Sequence, residues 1–224
     1  MDHGALAERY ARVKARIPAH VQLIAVSKTR SEDEIQALYD LGQRAFGENY
    51  PQELKAKQPL LPTDIEWHFI GHLQRSNVRH VMGLHLIHGV DGEKLLDEID
   101  KRSKAIERTT QVLLEVHIAK EDTKHGFGAD ELRTLLQQPG ILERWPYVLI
   151  RGLMGMATNT GDHAQVASEF AALAALLRSI AAKGPFPAGQ FSDLSMGMTG
   201  DMDLAIKAGS TMVRVGSAIF GERG

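Results

Sequence analysis

The chain contains no cysteine. Disulfides, thiolate catalysis and cysteine-built zinc sites are therefore excluded, and the absence suits a reducing compartment. Long hydrophobic runs are missing too: no apolar stretch approaches the roughly 18 residues of a membrane span. Residues 1–20, MDHGALAERYARVKARIPAH, lack the apolar core of a secretion signal. An excess of one charge is also absent. With 26 basic against 28 acidic residues the net charge is −2, which leaves no electrostatic footprint for nucleic acid or an anionic membrane. The one local basic cluster, RSNVRH at 75–80, is too short and mixed to alter that. The expectation is a cytoplasmic protein that partners neither nucleic acid nor membrane.

What is present is an ordinary globular composition, 43% hydrophobic and 24% charged, enough to bury a core over one large domain spanning residues 1–224. Leu6, Tyr10, Val13 and Ile17 recur at helical spacing and predict an amphipathic first helix. Short apolar runs then alternate with amphipathic stretches. Strands are predicted near 21–26, 44–46, 66–70, 85–88, 111–117, 148–153, 191–194 and 212–215. Their richness in Val, Ile, Leu and Phe without strict alternation is that of parallel strands covered on both faces. Helices are predicted between them. One opens on the capping-box pattern Ser31-Glu32-Asp33-Glu34 and is followed by Gly42. Others cover 93–107, 129–138, about 162–183 and 201–209. Eight strands alternating with helices point to a closed parallel (β/α)8 barrel, of the TIM-barrel class, with an open doubly wound sheet as the alternative.

In such a barrel, chemistry collects where strands run into helices. Lys28 ends the first strand. A lone lysine at a strand end is usually a surface residue, but five largely apolar residues lead into this one, so its amine should stand over the barrel mouth. Partial desolvation there would lower its pKa and make it an imine-forming nucleophile. Two later strand ends, Ser195-Met196-Gly197-Met198-Thr199 and Arg214-Val215-Gly216-Ser217, set glycine and hydroxyl residues before a helix. Either alone is an ordinary tight turn. Together they suit a phosphate, which barrels often hold after their last two strands. The ten histidines include His68, His72, His80, His85 and His88, but no HExxH-type spacing appears. Period-two geometry should scatter them over both faces, so no metal site is expected.

With AVSKTR (25–30), FGENY (46–50), WHFIGHLQ (67–74), KHGF (124–127), RGLMGMA (151–157) and LSMGMTGDMDLAIKAGSTMVRVGSAIFG (194–221) in view, the chain resembles the pyridoxal 5′-phosphate (PLP) homeostasis proteins. That family has the fold of the alanine racemase N-terminal domain, and the resemblance covers nearly the whole chain. It implies that Lys28 holds PLP as a Schiff base and that Ser195, Gly216 and Ser217 contact the phosphate. It also implies that Arg214 faces the pyridine nitrogen, with Asn49 and His68 near the ring. A permanent guanidinium there disfavours protonation of that nitrogen and weakens the ring as an electron sink. Where family members usually read Asn-Lys after the LQ segment, this chain has Ser76-Asn77, so a role for that lysine is not carried over.

Three functions compete: a PLP carrier without a dedicated reaction, a PLP-dependent amino acid racemase, and a metal-dependent or sugar-phosphate barrel enzyme in which Lys28 is incidental. Racemisation needs acid–base groups on both faces of the α-carbon, and one such group is worth on the order of 10²–10⁴ in rate. In alanine racemases the opposing tyrosine comes from a further C-terminal domain. The sequence given ends at Gly224, so that domain and its dimer contact are not expected. The favoured expectation is a monomeric, non-catalytic carrier that buffers PLP or delivers it to PLP-dependent apo-enzymes.

Overall fold

A computed structural model describes residues 3–121 and 125–222; Lys124, which opens the KHGF motif, lies outside them. After helix α1 (His3–Lys14) come β1 (Gln22–Val26), α2 (Glu32–Asp40), β2 (Ala45–Glu48), α3 (Pro51–Lys57) and β3 (Glu66–Phe69). β4 (Leu86–Val90), α4 (Glu93–Ala105), β5 (Thr110–Glu115), α5 (Ala129–Leu136) and β6 (Val148–Met154) follow. The chain ends with α6 (His163–Lys183), β7 (Asp193–Ser195), α7 (Met202–Ala208), β8 (Met212–Val215) and α8 (Ser217–Phe220). The strands form one closed barrel in sequence order. β1 pairs in parallel with both β2 and β8, which completes the ring. This is the (β/α)8 architecture, with closure deciding against the open sheet.

Local sequence explains several of the joins. Ser31 accepts from the Glu34 backbone N–H while the Glu34 carboxylate accepts from that of Ser31, the reciprocal capping box that starts α2. Between β3 and β4 the connection is a 3₁₀ turn, Arg75–His80, in place of an α-helix. The sequence there has too few apolar residues at helical spacing to sheathe the barrel. Helix α6 is long and apolar enough by composition to cross a bilayer. Here it buries Val166, Phe170, Leu173, Leu176 and Ile180 in the outer core.

Two apolar layers result. The larger lies between strands and helices and includes Phe46, Phe69, Trp145 and Phe170. The smaller fills part of the barrel interior with Ile24, Ala45, Leu86, Leu113, Met154 and Met212. The rest of the interior is polar.

Closure depends on a close approach at Gly152, whose ideal Cβ would stand 2.7 Å and 2.8 Å from the Asp193 carbonyl carbon and nitrogen on β7. Gly152→Ala is expected to force β6 from β7 and to cost about 3 kcal/mol or more. Urea denaturation of the two proteins reads this directly; equal midpoints would show that the strands can spread without penalty.

Candidate functional site

At the C-terminal mouth of the barrel, Lys28, Arg214, Gly216 and Ser217 line one cavity of about 260 Å³, together with Val26, Arg30, Met198, Thr199 and Gly200. Four of the seven residues singled out from sequence thus share a surface. Asn49 lies just beyond β2, and its Oδ1 is buried without a hydrogen-bond partner. His68 and Ser195 are elsewhere. Both are fully buried inside the barrel, beneath that cavity.

The backbone that carries Lys28 is clamped on both sides. Lys57 Nζ, itself buried, donates to Ser27 O at 2.9 Å and to Glu48 Oε1 at 2.8 Å. Ser27 Oγ donates to the same Glu48 oxygen at 2.7 Å. Glu53 Oε2 accepts from Lys57 Nζ at 2.5 Å and from the Thr29 backbone N–H at 2.7 Å. Burial raises the Glu48 carboxyl above its ordinary value, opposed by the bonds from Lys57 and Ser27. Thr29 adopts φ 60°, a left-handed conformation that a β-branched residue takes only when its surroundings impose it. Lys28 is therefore held by a sprung turn with a buried ion pair behind it. A lysine at a helix end gives no sequence sign of burial, which is why this network was not foreseen.

Under the cavity a hydrogen-bonded line crosses the barrel. Arg214 Nη1 donates to Ser195 Oγ, and Nη2 donates to Gly155 O at 3.2 Å. Ser195 Oγ meets His88 Nδ1 at 2.9 Å, and His88 Nε2 meets His68 Nδ1 at 2.9 Å. Burial lowers Arg214 to about 10, with Glu115 and Asp201 opposing, so it remains a cation at neutral pH. Burial also takes His68 down to about 3, with His85 adding, and pushes His88 well below the ordinary range. Both imidazoles are neutral. Glu115 faces this group; burial raises its carboxyl to about 7, Asp91 adds, and Arg214 opposes. The histidines are less scattered than period two implied. His68 and His88 both turn inward because neighbouring strands place alternate residues on the same face. Glu66, His68 and His85 gather in one cluster and His72, Asp91 and His125 in another.

Comparison with known proteins bears on what this arrangement serves. The family model for the alanine racemase N-terminal domain matches residues 1–224. The pyridoxal phosphate homeostasis protein of Vibrio cholerae is 40% identical over 217 residues, 93% of this chain and 88% of that protein. Its human namesake is 37% identical over an aligned 235 residues, 98% of this chain and 84% of the other. The solved structure of PipY from Synechococcus elongatus with PLP bound superposes at a TM-score of 0.86 and 35% identity, covering 96% of this chain and all of that one.

Two outcomes follow from the site's electrostatics. Lys57→Met leaves Glu48 buried without its cation, so a loss of about 3–5 kcal/mol in unfolding free energy is expected, measured in urea at pH 7. For Glu115, the folded-state pKa of about 7 lies above the unfolded one. Its contribution is therefore whole below the unfolded pKa and is lost as pH rises through about 7. Glu115→Gln, neutral throughout, should nearly match the wild type at pH 4.5 and exceed it at pH 8 by about 2–3 kcal/mol. A constant difference across that range would show that Glu115 is already ionised in the folded protein.

Proposed function

The chain belongs to the alanine racemase N-terminal-domain family, and from that premise we propose that it binds pyridoxal 5′-phosphate through Lys28 and serves intracellular homeostasis of that cofactor. It buffers or delivers PLP rather than turning over a substrate with it. One observation carries this: Lys28 shares its cavity with Arg214 and with Gly216-Ser217 at the start of a helix. The residues fit the group. An amine, a lasting cation and a glycine–hydroxyl turn match an aldehyde, a pyridine nitrogen and a phosphate. An ideal Cβ on Gly216 would come within 3.2 Å of Val26 Cβ, so glycine lets the turn pack closely against β1 at that wall of the cavity. The first N–H groups of α8 have no partner within the helix and are free for an anion. Asn49 Oδ1 is an unpaired buried acceptor on the same mouth.

Bound PLP supplies an electrophilic aldehyde and an electron-withdrawing ring. The protein's part is to limit what that chemistry does. Lys28 would hold the aldehyde carbon through its nitrogen, the carbonyl oxygen leaving as water. Gly216, Ser217 and Thr199 would hold the phosphate. Arg214 would stand toward the pyridine nitrogen and, being a cation, would disfavour a proton on it. Ser195 and His68 act through Arg214, which Ser195 orients. Among the described residues lining the cavity, Lys28 is the one amine, and no tyrosine, histidine or carboxylate stands beside it as a second base; Arg214 stays a cation. A second base is what a racemase requires. The partners in this reading are PLP and the apo-enzymes that need it. The protein acts as one domain, a monomer of the cytoplasm, where its near-neutral charge gives no pull toward nucleic acid or membrane.

The test is spectroscopic. PLP added to the purified protein is expected to give a visible absorption band that Lys28→Ala lacks. With PLP loaded, exchange between L- and D-alanine is expected to stay undetectable, while an added apo-enzyme regains activity. Rapid exchange would make the protein a racemase, and a band retained in Lys28→Ala would remove Lys28 from the site.

A further inference from the structure

The N-terminal mouth of the barrel, opposite Lys28, carries its own set of chemically capable side chains. Glu66 and His68 are two residues apart on β3 and share its inner face. His85 immediately precedes β4 and is fixed by its backbone N–H, which donates to Trp67 O at 2.9 Å. One ligand atom from each of Glu66, His68 and His85 lies within 4.8 Å of the others. The decisive atom belongs to His68. Its ring is fully buried, its Nδ1 is engaged by His88 at 2.9 Å, and its Nε2 is buried with no hydrogen-bond partner. A buried ring nitrogen without a partner is rare and calls for a physical explanation.

We infer that Glu66, His68 and His85 bind a divalent transition-metal ion of the zinc class. Two imidazoles and a carboxylate are the donor set of three-ligand zinc sites that keep an open position. Atoms bound to one ion at roughly 2.1 Å sit roughly 3.4 Å apart, so the three need close by no more than about 1.4 Å. His85 is exposed and gives the ion its way in from solvent. It also lines a hollow of about 400 Å³ with Gln22, Gln111, Arg151 and Asp193. The nearby cation Arg151 is paired with Asp193 at 3.3 Å, which limits its repulsion of an ion. Gln22 Nε2 donates to Glu66 Oε2 at 3.0 Å and orients that carboxylate. His88 supplies the outer partner that a metal-bound histidine needs on its other nitrogen. With an ion on Nε2, His68 donates from Nδ1 to His88, and every polar atom of that ring is satisfied.

The second cluster, His72, Asp91 and His125, lacks this support. It has no buried ligand, and its two imidazoles stack on each other with centroids 4.0 Å apart. It serves as the control. The inference does not rest on the PLP reading, since none of Glu66, His68 and His85 lines the cavity that holds Lys28.

The experiment uses untagged, chelator-treated full-length protein. Zn²⁺ is titrated by calorimetry, and Co²⁺ is titrated while visible absorbance reports its coordination. One ion per chain is expected, with a tetrahedral Co²⁺ spectrum. His85→Ala and Glu66→Gln should each weaken binding by at least about 10–100-fold, and His125→Ala should bind as the wild type does. Thermal melts without metal establish that the variants are folded; His85 is exposed, so that variant in particular should melt with the wild type. Wild-type affinity in folded His85→Ala, loss of the ion in His125→Ala alone, or no binding at all would each overturn the inference.

Discussion

A full positive charge sits inside the barrel, and the interior is arranged around it. Arg214 is 5% exposed, where an ion without partners would be prohibitively costly to desolvate. The fold supplies acceptors in fixed positions, Ser195 Oγ and Gly155 O, and Glu115 and Asp201 oppose the loss of the charge. Burial above all holds His88 neutral, with His68 and then the same guanidinium adding to it. The apolar cluster inside the barrel is accordingly small, and most hydrophobic burial is left to the layer between strands and helices. Changing Arg214 would therefore disturb the interior and the cavity floor together.

Lys28 presents the complementary problem, since it must be both fixed and reactive. Its strand end is held through the backbone by Lys57, and Lys57 is in turn held by Glu48 and Glu53. The structural lysine spends its donors on the turn, which leaves the chemistry to its neighbour. The φ of Thr29 shows that the turn is imposed by these contacts rather than relaxed. A cavity with one amine and, among the described residues lining it, no tyrosine, histidine or carboxylate is better suited to keeping an aldehyde than to driving carbanion chemistry.

Much of the fold was legible because parallel strands and amphipathic helices write different periods into the sequence. The strands at 148–153 and 212–215 were visible as apolar runs, and the Ser31 cap as a motif. The errors at strand ends have local causes. Phe191, expected in the seventh strand, stacks on Phe186 with ring centroids 4.4 Å apart, and the strand begins only at Asp193. Val116 leaves β5 to bridge to Phe127. Helix α3 went unseen because Leu54 is the one large aliphatic residue of its seven. At the site, the lysine and the glycine-rich turns were readable because they stand at strand ends. Glu115, His88 and the Glu48–Lys57 pair were not, because inward direction and burial are properties of the closed barrel.

The line from His68 to Arg214 admits two self-consistent hydrogen-bond directions. If His68 donates from Nδ1, His88 accepts at Nε2 and donates from Nδ1 to Ser195; if His68 accepts there, both roles reverse and the Ser195 hydroxyl donates to His88. Arg214 can only donate, so Ser195 Oγ accepts from it in either case. In the first direction Ser195 accepts twice, and its own proton is left for another acceptor. In the second that proton is spent on His88. A metal ion on His68 Nε2 uses the lone pair there, keeps the proton on Nδ1 and selects the first direction. What binds at one mouth of the barrel would then decide whether the hydroxyl beside Arg214, at the floor of the other, has a proton to offer. The two mouths would be coupled in this way by nothing more than the rule that each nitrogen of a neutral imidazole either donates or accepts, never both.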